Sequence, residues 1–404
     1  MLRPAERRSR AATTHGALGA CILAAVLLAS SEGGRVQGSS APAVRLPAMV
    51  RQLRLTLRGG DGMDLSAEEA AALLDSGTEP AVLVQTLGDY RQSEQVQLQG
   101  CRRIAAALTA VASNQTAKES LLSSFSEAGA AVALVESLRW HTAEGKAGAD
   151  LAAAMCESLG ALLAGPPNHA PPGDEWWRND ASCSSAMRVA SARAGALHLA
   201  LDVVRAHSDA ALEAADRAAP PVCAVAGALL VLERLMMEHE NKLVFSETGA
   251  LTQLVEQLKA FKQHARMVES IMAVLMNSAC AHDDNKLAIA AAGAVGQVVE
   301  VMDAHALDPG VQARACGLFC NLAAEQTTEA KDERLQVRIA SAGAVSRIAG
   351  AMEAHADDAA VQEEACAAFM NLARNNADNR NLIRAAGGEQ LARKVLASTR
   401  LLDG

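Results

Sequence analysis

The chain has 404 residues, is 50% hydrophobic and only 2% aromatic, and carries a formal charge of −9. An acidic chain with one Tyr, five Phe and three Trp has neither the cationic surplus that neutralises phosphate nor the rings that stack on bases, so nucleic acid is not an expected partner. The core must be built from Ala, Leu, Val, Ile and Met, which favour helix and let helices approach closely. No alternating apolar runs bounded by turn residues stand out, and the expected class is all-α.

The N-terminus differs from the rest. Residues 1–60 hold nine Arg and two acids, a charge of +7, which leaves −16 for the remainder. Residues 16–29 are apolar and uncharged, and Ala29, Ser30 and Ser31 follow as small residues. That is the order of a secretory signal. The stretch is short for a membrane span, which needs about 20 residues, so no stable span is expected. Residues 33–60 then carry five Arg and no acid, the look of a transit peptide. Together they read as a two-part targeting leader of the kind used for plastids with extra membranes. An uncleaved tail, or a start at Met49 or Met63 with a cytoplasmic or nuclear protein, is the other reading.

From residue 61 onward a glycine set among small residues recurs, as Gly77, Gly129, Gly195, Gly249, Gly293, Gly343 and Gly387. The spacings are 52, 66, 54, 44, 50 and 44 residues. In three units an Asn follows 28 residues later, at Asn277, Asn321 and Asn371. Self-similarity near 40–47 residues signals a stacked helical solenoid, and solenoids present extended binding surfaces. About six repeats and a truncated unit at 376–404 are expected over 61–404. The unit read most easily has helices at 285–292, 294–305 and 311–324. Gly293 permits the sharp turn between the first two. Asp308 and Pro309 form an N-cap followed by Pro at the first helical position, and Asp358 holds the same place one unit later.

The longest insertion, 165–179, holds two Pro pairs and the adjacent Trp176 and Trp177. Exposed, these rings would make a binding hot spot; folded back, they would cover a repeat edge. His141, His207, His305 and His355 each stand 12 residues after their glycine, and Phe261 breaks the series. Residues repeated once per layer, at steps of roughly 10 Å, cannot converge on one substrate. They suit the end of the second helix, where an imidazole can bond free carbonyls. Nine Cys show no disulfide framework. Cys316 and Cys366 share a register on the apolar face of the third helix, and Cys156, Cys223 and Cys280 lie in apolar runs. Buried free thiols are expected, which fits a reducing compartment. His169 and Cys183 lack further ligands at zinc spacing. With no phosphate loop, nucleophile elbow or zinc-protease motif, no enzyme activity, metal or cofactor is expected.

The order Gly-Ala-Val, second helix, His-containing loop, Val-Gln-x-x-Ala-Cys and Asn-Leu-Ala, in 293–323 and again in 343–373, resembles the armadillo repeat. The resemblance covers about 61–404. It implies a right-handed α-solenoid whose third helices line a concave groove, with an Asn ladder that bonds an extended peptide. An amide offers a donor and an acceptor, matching a peptide group. On this reading Asn277, Asn321 and Asn371 bind partner; the alternative is that they tie neighbouring third helices together. The same counts place Glu157 and Glu233 in earlier units. Helical spacing adds Arg314 and Glu325 beside Asn321, and Glu364 and Asn375 beside Asn371. Import adaptors of this fold carry a Trp four residues before the ladder Asn; here Ala273, Gly317 and Ala367 stand there, so no cation–π cage forms. The expected partner is a protein or extended peptide, and an acidic groove favours a basic one.

Overall fold

The computed structural model describes residues 74, 79–143, 148–164, 183–324 and 335–402. The leader, the 165–179 segment with Trp176 and Trp177, Gly77 and Glu325 lie outside the described residues. Among the described residues, nineteen helices and no strand are found.

The helices come in repeating sets. α1 (Pro80–Asp89) and α2 (Glu94–Ala110) form an opening pair. Five triplets follow. They are α3 (Gln115–Glu127), α4 (Ala130–Ala143) and α5 (Ala149–Leu162); then α6 (Cys183–Arg193), α7 (Ala196–Glu213) and α8 (Pro220–Leu235). Next come α9 (His239–Glu247), α10 (Ala250–Ala260) and α11 (Ala265–Ala279), then α12 (Asp283–Ala291), α13 (Ala294–Ala304) and α14 (Pro309–Ala323). The last triplet is α15 (Leu335–Ser341), α16 (Ala344–Ala354) and α17 (Ala359–Ala373), and α18 (Ala377–Ala385) and α19 (Gly388–Leu402) close the stack. The helices read from the unit around Gly293 are found within two residues of their expected ends. Among the described residues no single helix is long and apolar enough to cross a membrane.

The glycine period has a backbone cause. Gly129, Gly195, Gly249, Gly293, Gly343 and Gly387 all sit between a first and a second helix with φ from +71° to +95°. A side chain there costs roughly 1–2 kcal/mol, so glycine recurs wherever the chain makes this turn. Each third helix then packs on the next, from α2 through α5, α8, α11, α14 and α17. The apolar stripes interlock into one continuous core, with Val96, Val268, Val311 and Val361 buried at the third-helix starts. Asp308 and Asp358 accept from Val311 N at 3.2 Å and Val361 N at 3.0 Å, as the N-cap reading expects.

Buried amides staple the third helix to the second within a unit. Gln312 Nε2 donates to the carbonyls of Met302 (3.0 Å) and His305 (2.9 Å), and Gln362 Nε2 to Met352 (2.8 Å) and His355 (2.9 Å). Gln97 does the same to Leu87 and Tyr90. The Val-Gln pair of the repeat thus has a cause: its Gln satisfies the last carbonyls of the second helix, which otherwise lack partners. In α11 the place is held by Val268, and no staple forms there.

The His series also ties layers, but between repeats. His141 Nε2 bonds Arg91 O (3.0 Å), His305 Nε2 bonds Lys262 O (2.8 Å) and His355 Nε2 bonds Ala306 O (2.9 Å). A carbonyl can only accept, so each ring donates from Nε2. The carbonyls are those just past the second helix of the preceding unit. His207 departs from the series because α7 runs on to Glu213. It lines a cleft of about 470 Å³ between α4 and α7 with Arg139, Thr142 and Asp202, and burial lowers its basicity.

None of the described cysteines forms a disulfide; Cys101, Cys156 and Cys316 are buried, and Cys223, Cys280, Cys320 and Cys366 are half-buried. Burial pushes the Cys101 and Cys156 thiols up to about 12. These sulfurs stay protonated and act as small apolar side chains.

Candidate functional site: the face of the third helices

The three ladder residues share one geometry. Asn277 Nδ2 donates to Glu233 O (3.1 Å), Asn321 Nδ2 to Met276 O (2.9 Å) and Asn371 Nδ2 to Cys320 O (2.9 Å). Each reaches the third helix of the preceding unit, so the donor half of the amide ties neighbouring helices. Among the described residues no donor reaches the Oδ1 atoms. All three side chains are half-buried. The arrangement therefore joins both readings of the sequence: one side of the amide is structural, and the other is an acceptor at the surface, one per layer.

The same bonds correct the register upstream. Asn321 and Asn371 each reach the residue just before the preceding ladder position. By that rule Asn277, bonded to Glu233, marks Arg234 as the equivalent in α8, one residue beyond the Glu233 reached by counting. The physical reason is a shorter turn. Asn285 and Asn379 bond back seven residues, to Ser278 and Leu372, whereas Asn241 bonds back six, to Leu235. Glu157 is exposed on α5. Asn375 is exposed and holds φ +53° just after α17; the left-handed conformation that Asn tolerates at a helix end accounts for its identity. Ala281 takes the same φ after α11.

Glu233 itself enters a charged cluster. Arg314 Nη2 lies 3.8 Å from Glu233 Oε1, with the two side chains 36% and 14% exposed. Arg314 is on α14 and Glu233 on α8, and α11 lies between. In a flat stack the α8 and α14 axes would be about 16–20 Å apart, at 8–10 Å per layer. Two long side chains therefore bridge that span across α11. Two more carboxylates adjoin Arg314. Glu269 on α11 lies against Gly310, and Glu364 on α17 against Gly317; a Cβ at those glycines would meet the Glu269 oxygens at 3.2 Å and Glu364 Oε2 at 2.9 Å. Gly310, Arg314 and Gly317 stand at helical spacing, so they share one face of α14. Burial raises the Glu364 carboxyl to about 7, Glu363 adds to the rise, and Arg314 opposes it. Burial likewise raises Glu269, with Arg314 opposing and Asp308 and Glu233 adding.

Glu269 and the two glycines were missed in the sequence. A signal existed: two glycines seven residues apart inside one third helix cost helix stability, roughly 1 kcal/mol each against Ala, and make sense only if something occupies the space. Gly317 is also the position where an import adaptor would carry its Trp. Here Glu364 Oε2 and Met276 Sδ fill it.

No family model and no curated protein matches the chain. Solved structures do. An engineered protein from the Northeast Structural Genomics Consortium superposes with a TM-score of 0.52 at 21% identity, over 74% of this chain and 100% of that one. A designed armadillo repeat protein in complex with the peptide (KR)4 gives a TM-score of 0.51 at 19% identity, over 73% of this chain and 100% of its own. A second engineered protein from the same consortium gives 0.51 at 20% identity, over 73% and 96%. With its third helices stacked in order and a left-handed glycine in each layer, the chain has the fold of an armadillo-repeat solenoid.

Proposed function

We propose that this protein is a non-enzymatic scaffold that binds an extended, basic segment of a partner protein along the third helices from α8 to α17. The observation that carries the reading is the row of Asn277, Asn321 and Asn371, each holding its neighbour through Nδ2 and keeping Oδ1 as an acceptor for a peptide N–H. Glu233, Glu269 and Glu364 share the face that carries one Arg314, so this stretch of the face has an acidic surplus that suits Lys and Arg. The designed structural neighbour with bound (KR)4 supports the same class of ligand for the fold. Glu157 would extend the acidic path toward α5.

Two finer parts of the reading rest on sequence alone. The wording at 298–305 and 352–355 is similar to armadillo repeat-containing protein 6, and we propose that the chain is of that type. Residues 1–60 act as a targeting leader, which N-terminal sequencing of the mature protein tests; an intact residue 1 with diffuse signal from a tagged chain refutes it.

The groove is tested with a fluorescent octapeptide of alternating Lys and Arg. The double variant Asn321→Ala with Asn371→Ala should weaken binding by about 1–3 kcal/mol, at roughly 0.5–1.5 for each neutral hydrogen bond. A melting curve on the same sample separates lost binding from lost folding. Equal affinity in a folded double variant refutes the Asn ladder as the binding element.

A further inference from the structure

We infer that Arg314 is a resident cation at the centre of the binding face, and that a partner's Lys or Arg engages this stretch only by displacing it. The inference rests on the groove reading above and adds the residue that sets its specificity. Carboxylates from three separate helices share the α14 face that carries Arg314: Glu233, from two layers back, lies 3.8 Å from its guanidinium, and Glu269 from the preceding layer and Glu364 from the following one rest at Gly310 and Gly317, within reach of its charge. Each adjoins α14, and two of them rest where α14 has glycine instead of a side chain. The clearances at Gly310 and Gly317 hold carboxylates about one turn to either side of the Arg314 position on one helix face. A guanidinium presents a planar fork of donors suited to several carboxylates at once.

The ion pair is not closed from solvent. Arg314 is 36% exposed and its contact with Glu233 is 3.8 Å, longer than a charge-assisted hydrogen bond of 2.7–2.9 Å. The pair is therefore one that an incoming cation can replace. Arg314 could then swing outward on its flexible stem, and the acids would pass from an internal cation to the partner's. Burial raises Glu269 and Glu364 even with Arg314 in place, and Arg314 opposes the rise. Arg314 thus acts as a gate: it offsets part of the cost of burying these acids in the free protein and sets a threshold that only a basic segment crosses. Neighbouring third helices differ at this register, with Ser270 in α11 and Glu364 in α17.

The test uses the full chain and the same labelled Lys-Arg octapeptide. Arg314→Met should bind it about ten-fold more tightly than the unmodified protein, and Arg314→Lys, which keeps a cation in place, should stay within about three-fold. In the unmodified protein, saturating peptide should move the Arg314 guanidinium signal in a nitrogen NMR spectrum. Equal or weaker binding by a folded Arg314→Met overturns the inference. So does a bound peptide that leaves the Arg314 signal unmoved, which decides the matter even if the Met variant fails to fold. Asn-dependent binding without tightening in Arg314→Met defeats the gate alone. Absence of binding by every form defeats the groove reading as well.

Discussion

The front and back of the solenoid hold their third helices together by different means. Between α5 and α8 the contact is close and apolar. Gly160 lies against Leu230, and a Cβ at Gly227 would fall 3.0 Å from Cys156 Cβ and 3.3 Å from the backbone N of Glu157. From α11 to α17 the helices are joined by Asn rungs and by the charges around Arg314. A glycine in α5 or α8 brings backbone to side chain; Gly310 and Gly317 in α14 make room for carboxylates instead. The same residue type thus serves adhesion in one half and a polar surface in the other. On the proposed function, ligand chemistry is concentrated in the back half.

The sharpest way to break the front is at its one deeply buried charge. Arg188 of α6 is 1% exposed, pairs with Glu238 at 2.5 Å and donates to Leu163 O at 3.3 Å. It joins the ends of α5 and α8 across the unit with the longest insertion. Arg188→Ala should cost about 3–5 kcal/mol, since it leaves Glu238 without its buried partner; denaturant unfolding measures it, and a loss under 1 kcal/mol would show that the front does not depend on this pair.

The back half should respond to pH through Glu364. Glu364 is raised to about 7 in the folded protein, so the fold holds its proton more tightly than the unfolded chain does. Stability is greatest below the ordinary carboxyl range and falls as pH rises toward 7, by up to about 3 kcal/mol at 1.36 kcal/mol per unit. Glu364→Gln should flatten this slope and stabilise the protein at pH 8. An unchanged pH profile in the variant would remove Glu364 from the account.

The smallest effect tests the glycine contrast. Gly227→Ala pushes a methyl group toward the Cys156 and Glu157 backbone and should cost about 1–2 kcal/mol, within the range of overpacking, despite the better helix propensity of Ala. Gly296 of α13 has nothing within 4 Å of such a methyl group, and Gly296→Ala should gain about 0.5–1 kcal/mol. Thermal melts of the pair give the comparison, and equal shifts would contradict it.

Much of the fold was legible in the residues themselves. Gly at a left-handed turn, Asp at an N-cap and the register of Val-Gln and Asn are local requirements of the backbone, so they repeat in the sequence wherever the turn repeats. The class, the helix triplets and the stacking of third helices follow from them. The partners of the polar groups did not. Whether Asn321 bonds a ligand or Met276 depends on the distance between layers, and the sequence carries no record of that distance. Counting misplaced the ladder position in α8 by one residue because a turn is one residue shorter there. The grouping of Glu233, Glu269 and Glu364 with Arg314 joins residues from four helices, up to 131 positions apart in the chain. Only the packing of the stack, a property of all the interfaces together, brings them to one face.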